Sequence, residues 1–236
     1  ETQTHAWVAN DPFFKPASIL DNMPNFQQGI ISSAAVFTFE LKDQIGRTRG
    51  SSQADTDLQE ASGLLQYSGT KWRFDFSTSL WPVSTSEEQY GKARRALLTY
   101  NKRLAAGSAV FERRADNLMA TLDRIALDIG SSSAALDRHI KVQSPGMIDT
   151  TADDLFYSVK GQVYAYAMIL KGLRMDFAGV IEDRDLSNAW QQMEESLIVA
   201  NGQPDAQMIP NHLAAQGFFL LRARTQMREI TNILLK

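Results

Sequence analysis

Tyr90, Leu97, Leu104, Phe111, Leu118 and Ile125 recur one heptad apart without interruption, with Arg94, Asn101, Ser108, Ala115, Leu122 and Ile129 at the interleaved positions. Neither a strand nor a loop requires that period. A helix does, when it buries one narrow seam along other helices. The pattern predicts a continuous helix from Ser86 to Ile129, about 65 Å long at the usual rise per residue. It therefore predicts a mainly α fold: a multi-helix bundle built on a long central helix. From Phe111 onward the seam is apolar throughout, whereas Arg94, Asn101 and Ser108 interrupt its upper half. Polar residues on such a seam commonly set register or partner choice, so these three form a candidate partner surface.

Flanking signals supply the other elements. Three prolines (Pro12, Pro16 and Pro24) mark residues 1–24 as an irregular segment, pinned by Trp7, Phe13 and Phe14, ahead of a single helical domain over 25–236. A helix is expected after Pro24, with Phe26, Ile30, Ala34, Phe37 and Leu41 on one face and Gly46 at its end. Ser52 or Asp55 can cap the next helix. Lys71 to Phe76 alternates aromatic and charged residues, the mark of one short extended segment. Ser84 with Glu87 reads as a capping box for the long helix, and Gly130 with the three serines after it reads as its stop. Ala134 to Val142 suits a short helix, and Ser144-Pro145-Gly146 a turn. Three more helices are expected: one striped by Leu155, Val159, Val163, Tyr166, Leu170 and Leu173; one from Asp185 to Val199; and one striped by Leu213, Leu220, Ala223, Met227, Ile230 and Leu234.

Composition excludes several functions. The chain of 236 residues has no cysteine, which removes disulfides, thiolate metal sites and a cysteine nucleophile. Its formal charge of −3 gives no general drive towards nucleic acid or an anionic surface. No apolar run is long enough to cross a membrane; Gly161 to Leu170 reads as a buried helix. The chain opens on Glu1 rather than Met, so removal of a preceding segment is expected.

Few constellations point to chemistry. Arg47, Arg49, Ser51 and Ser52, flanking Gly50 ahead of a helix, form a candidate anion-binding loop for a phosphate or carboxylate; capping and pairing with Asp43, Asp55 or Asp57 is the plainer role. Seven basic residues lie between Lys92 and Arg114 with Glu112 as the one acid. No interleaved aromatics accompany them, which argues against nucleic acid and for a solvated helix face. Asp116, Asp123 and Asp128 sit among arginines and are expected to form ion pairs. Tyr157, Tyr164 and Tyr166 are expected to be core. With His5, His139 and His212 scattered, no metal, cofactor or catalytic residue is assigned, and no hydrolase, zinc-protease or dinucleotide motif occurs.

Several strings together resemble a known family: Asn10-Asp11-Pro12-Phe13-Phe14, Leu20 to Gln27 (LDNMPNFQ), Arg47 to Ser52 (RTRGSS) and Phe111 to Leu118 (FERRADNL). They are similar to a bacterial family known as domain of unknown function 2333. The resemblance covers nearly the whole chain and carries no assigned chemistry. It implies a periplasmic protein of the Gram-negative envelope, anchored to the inner membrane through a segment absent from this chain. The reading of the residues is then a non-enzymatic protein presenting a helical surface to envelope partners of unknown identity, with self-association left open. A binding module for an anionic small molecule or lipid headgroup at the 47–52 loop is the alternative, and an unfamiliar hydrolase the remaining class.

Overall fold

The structure is a computed structural model that describes residues 7–11, 22–46, 54–71, 81, 83–142, 150–202 and 210–236. It is mainly α, a multi-helix bundle with no strand among the described residues. Its helices are α1 (Asn22–Glu40), α2 (Thr56–Leu65), α3 (Ser86–Ala105), α4 (Ala115–Val142), α5 (Thr150–Asp176), α6 (Ala178–Asp183), α7 (Ser187–Asn201) and α8 (Pro210–Leu234). The chain divides into two compact units, residues 1–112 and 113–236, where one helical domain over 25–236 was expected. The extended segment expected within Lys71 to Phe76, the Ser144-Pro145-Gly146 turn, and Phe13 and Phe14 lie outside the described residues, apart from Lys71.

In the first unit, α1 packs on α2 and α2 on α3. No charged residue occurs from Met23 to Phe39, so α1 has no charged face to set against an apolar one and periodicity does not select its inner face. Phe26, Ile30, Ala34 and Phe37 are only half-buried, while Gln27, Ser33 and Thr38 are buried with Leu41. Gln27 is held inward because its Oε1 accepts the Val8 amide at 2.9 Å. A π-helical turn, Leu41–Ile45, continues α1, and the Gly46 amide closes it on the Leu41 carbonyl at 2.6 Å. A side chain at Gly46 would collide with Leu58, since a Cβ there lies 2.2 Å from Leu58 Cδ1.

Asp55, not Ser52, caps α2, accepting the amides of Asp57 and Leu58. The same carboxylate receives Arg103 Nη2 at 2.6 Å, while Arg103 Nε donates to Asp57 at 2.8 Å. One guanidinium thus ties α3 to the start of α2, and these carboxylate bonds hold its proton even more firmly than usual. The capping box of α3 is formed by Thr85 and Glu88, one residue later than Ser84 and Glu87.

The continuous helix expected from Ser86 to Ile129 is broken. Helix α3 ends at Ala105, Gly107 adopts φ 72°, and no regular helix returns before Ala115. A left-handed residue cannot continue a right-handed helix, and glycine takes that conformation without a Cβ penalty. The nonhelical stretch is fastened back: the Tyr100 hydroxyl donates to Val110 O at 2.6 Å and the Glu112 amide to Ile45 O at 2.9 Å. The buried row of α3 is Tyr90, Ala93, Ala96 and Tyr100, with Leu97 and Leu104 half-buried. Ala93 and Tyr100 occupy the inward positions that the heptad reading gave to Arg94 and Asn101, so those two face outward.

Burial pushes both Tyr90 and Tyr100 up to about 12, Tyr67 adding to it at Tyr90 and the Asp55 charge at Tyr100, where Arg103 opposes. A phenol whose folded pKa exceeds its unfolded value near 10 stabilises the fold fully below about pH 10 and loses that contribution as pH rises towards about 12. Urea midpoints should therefore fall between about pH 10 and 12, and the fall should be shallower in Tyr100→Phe. Equal slopes for parent and variant would refute the assignment.

In the second unit, α4 packs on α8, α8 on α7, and α7 on α5, while the α4–α5 contact is the thinnest side of this ring. Leu118, Leu122, Ile125 and Ile129 on α4 are fully buried, as the lower seam predicts. Helix α4 does not stop at Gly130 but runs through Ser131, Ser132 and Ser133 to Val142. Small residues here serve packing: a Cβ at Gly130 would meet Arg224 of α8 at 2.9 Å, and Ser133 Oγ donates to Gly217 O at 3.3 Å. Ser131 returns its hydroxyl to the carbonyl of Leu127, the local bond open to a serine inside a helix. The stripe of α8 is buried at all six expected positions, and that of α5 at all but half-buried Leu155. Helix α7 spans Ser187–Asn201 and ends at Gly202, and Asp185, with φ 52°, turns the chain between α6 and α7.

Candidate functional site

Arg47, Arg49, Ser51 and Ser52 lie outside the described residues. Arg94 and Asn101 are exposed on α3, and Ser108 is exposed in the nonhelical stretch after it. They share no buried seam. The basic run from Lys92 to Arg114 does not form one helix face, because α3 ends within it; Arg103 is committed to Asp55 and Asp57, and Arg114 to Asp116. That Arg114 guanidinium holds the Asp116 carboxyl below the usual carboxylate range.

Asp128 departs from the expected ion pairing. Its Oδ2 accepts the Tyr166 hydroxyl and the Gln162 amide, each at 2.6 Å, and Ser132 donates to Gln162 Oε1. Tyr166 is fully buried and Gln162 nearly so. The cluster joins α4 to α5 where their apolar contact is sparse, and its donors are neutral. Neither a nucleophile nor a metal set accompanies it: among the described residues no group of three or more histidines and acids is placed to hold a metal ion. Its role is to pin the two helices. Asp128→Ala removes the carboxylate that accepts from a buried phenol and a buried amide and should lower stability by about 1–3 kcal/mol in urea unfolding, more than Asp128→Asn, which retains an acceptor. Equal midpoints for the two variants would show that the carboxylate bonds are not what holds the helices.

A concavity in this unit combines a mainly apolar wall with a charged rim. It is a groove of about 430 Å³ between α5 and α7, within the range of about 300–1,000 Å³ usual for ligand sites. Its wall carries Met168 and Met175 from α5 and Ile198 from α7, which are 53%, 70% and 62% exposed. Lys171 and Arg174 rise from α5 on the same side. Arg174 Nη1 is bound to Glu194 Oε2 of α7 at 2.8 Å across the groove. The other Glu194 oxygen is buried without a hydrogen-bond partner.

The groove follows from the local sequence. On α5 the core stripe through Val163, Tyr166, Leu170 and Leu173 faces inward, leaving Met168, Lys171 and Met175, at spacings of three and four, on the outer side. Within Gly161 to Leu170, expected to be buried, Met168 is exposed, and Lys171 and Met175 lie beyond that stretch. Tyr166 proves to be core as expected, with Tyr157 and Tyr164 half-buried.

A family model described as an uncharacterized protein conserved in bacteria (DUF2333) matches residues 2–152 and 148–224. No curated protein and no solved structure matches.

Proposed function

We propose, on the premise that this chain belongs to the DUF2333 family of uncharacterized proteins conserved in bacteria, that it is a non-enzymatic envelope protein whose helices present a docking surface to other proteins. The observation that carries the reading is the α5–α7 groove, where three large apolar side chains stand in solvent around a charged rim. Isolated exposed apolar residues are ordinary, but a contiguous apolar cleft with a polar rim is the usual form of a protein-binding surface. Methionines suit it, because an unbranched thioether adapts to more than one partner shape. The envelope location, with an inner-membrane anchor on a segment outside this chain, is part of the proposal and rests on the family resemblance.

A photo-crosslinking residue placed at position 198 in living cells should yield discrete protein adducts, and one at position 101 should not. Adducts from 101 alone would move the surface to α3; adducts from neither would end the reading. Protease protection in intact cells, lost when the outer membrane is opened, tests the compartment.

A further inference from the structure

The first unit carries a cleft of about 470 Å³ between α1 and the residues that follow α2, again within the range of about 300–1,000 Å³ usual for ligand sites. No acid, lysine, arginine or histidine lines it. The uncharged run of α1 accounts for one wall, where Ile31 and Val36 are apolar and Gln28 and Ser32 polar. Gln66 and Tyr67, just past α2, and Tyr90 of α3 supply the other polar side chains. Three of these groups are held by hydrogen bonds that they donate. The Gln28 amide nitrogen donates to Pro24 O at 3.3 Å, the Tyr67 hydroxyl to Ser84 O at 2.8 Å and the Tyr90 hydroxyl to Tyr67 O at 2.7 Å. Each keeps an oxygen that can still accept. Gln66 and Ser32 are exposed and make no side-chain hydrogen bond among the described residues, so an amide and a hydroxyl remain able both to donate and to accept. Gly69 lets the wall close on two of these groups: a Cβ there would lie 3.2 Å from Gln28 Cγ and 3.5 Å from the Tyr90 hydroxyl oxygen.

These groups restrict the ligand. A charged molecule would shed water in a cleft that offers no counter-charge. An apolar one would strip water from Gln66, Ser32 and the fixed oxygens and return no hydrogen bond. A sugar ring meets both demands. Its hydroxyls donate to the three held oxygens and pair with Gln66 and Ser32, while its C–H face covers Ile31 and Val36. Because the acceptors are fixed before binding, little side-chain entropy is lost in ordering them. We propose that the cleft between α1 and the end of α2 binds a neutral sugar, held by Gln28, Ser32, Gln66 and the hydroxyl oxygens of Tyr67 and Tyr90. This site is independent of the docking surface on α5 and α7.

The test titrates the full chain with glucose, galactose and N-acetylglucosamine, and with their charged counterparts glucuronate, galacturonate and glucosamine, read by saturation-transfer NMR. At least one neutral sugar should bind saturably, and its charged counterpart should bind more weakly by about tenfold or more. Gln66→Ala should weaken the neutral sugar by about tenfold, the loss expected when a side-chain amide stops bonding to adjacent hydroxyls. Ser32→Phe, which sets a ring in the cleft, should abolish binding. Both substitutions lie on exposed side chains, and unchanged circular dichroism confirms that the fold is kept. Absence of saturable binding by all three neutral sugars would overturn the proposal. So would a charged counterpart that binds as tightly as its neutral sugar, or binding that either variant leaves unchanged. Competition by 1,6-hexanediol at the same concentration as the sugar would show that the apolar wall alone is read, and would overturn it too.

Discussion

Leu118→Ala should destabilise the protein by about 2–5 kcal/mol, the usual consequence of truncating a buried leucine. Leu118 is fully buried at the start of α4, and Leu122 and Ile125 beyond it are equally inaccessible. The void left by the missing methyls has packed neighbours along the helix and no solvent to fill it, so the loss combines transfer energy with an unrelieved cavity. Leu127→Ala on the same helix provides the control, because Leu127 is 54% exposed; its change should stay within about 0.5 kcal/mol. Urea unfolding followed by circular dichroism measures both. A Leu118→Ala midpoint equal to that of the parent would mean that α4 does not seal the core of its unit.

Trp7→Ala should have an effect of similar size in the first unit, about 3–5 kcal/mol. Trp7 is buried with Leu65, Tyr90 and Ala93, and Ile31 and Ala35 of α1 pack against that cluster. Its ring meets Tyr90 edge-on at 5.0 Å, and its Nε1 donates to Gly69 O at 3.0 Å. Residues 7–11 are held further by burial of Val8, by Ala9 against the same cluster, and by polar contacts from the Val8 amide to Gln27 and the Asn10 amide nitrogen to Lys71 O. Removing the indole therefore takes away the largest apolar side chain that fastens the segment. Trp7→Phe, which keeps a ring but loses the donor, should fall between parent and alanine. If hydrogen exchange at α1 and α2 is unaltered in Trp7→Ala, the indole covers the surface of the unit and does not hold it together.

Sequence periodicity was informative wherever a helix has one buried stripe. The α8 series from Leu213 to Leu234 and the α5 series from Val159 to Leu173 are buried as read, because a polar opposite face leaves only one way to turn each helix. It failed at α1, whose uncharged surface offers no such contrast. It failed also between Ala105 and Ala115. There the spacing of Leu104, Phe111 and Leu118 continues in the sequence while the chain leaves the helix; Phe111 is half-buried in the first unit and Leu118 is core in the second. Gly107, in the left-handed region, interrupts a repeat that no single helix carries. The opposite error occurred at Gly130, where a glycine and three serines looked like a stop but the helix continues, with Gly130 and Ser133 at close approach to α8. Local propensity was decisive at the first glycine, where φ is positive, and was overridden by tertiary packing at the second. The groove was missed for another reason: an outward Met168 or Met175 has the same letter as a buried one, and only the fold distinguishes them.

The wide turn at Leu41–Ile45 has a consequence for how sequences of this kind are compared. A π turn closes on the fifth residue rather than the fourth, so it stores one additional residue without ending the helix. Leu41 and Ile45 are both buried, and the Ile45 carbonyl still reaches the Glu112 amide. The turn behaves as a frameshift in the hydrophobic code: positions before it and after it obey the same rule in different registers. A relative lacking one residue here would align without a visible gap in its helical pattern, yet would present Gly46 and the Ile45 carbonyl in another direction. Loss of a single letter at this point would be a change of architecture, whereas a loss of the same size in an exposed loop would be a change of length.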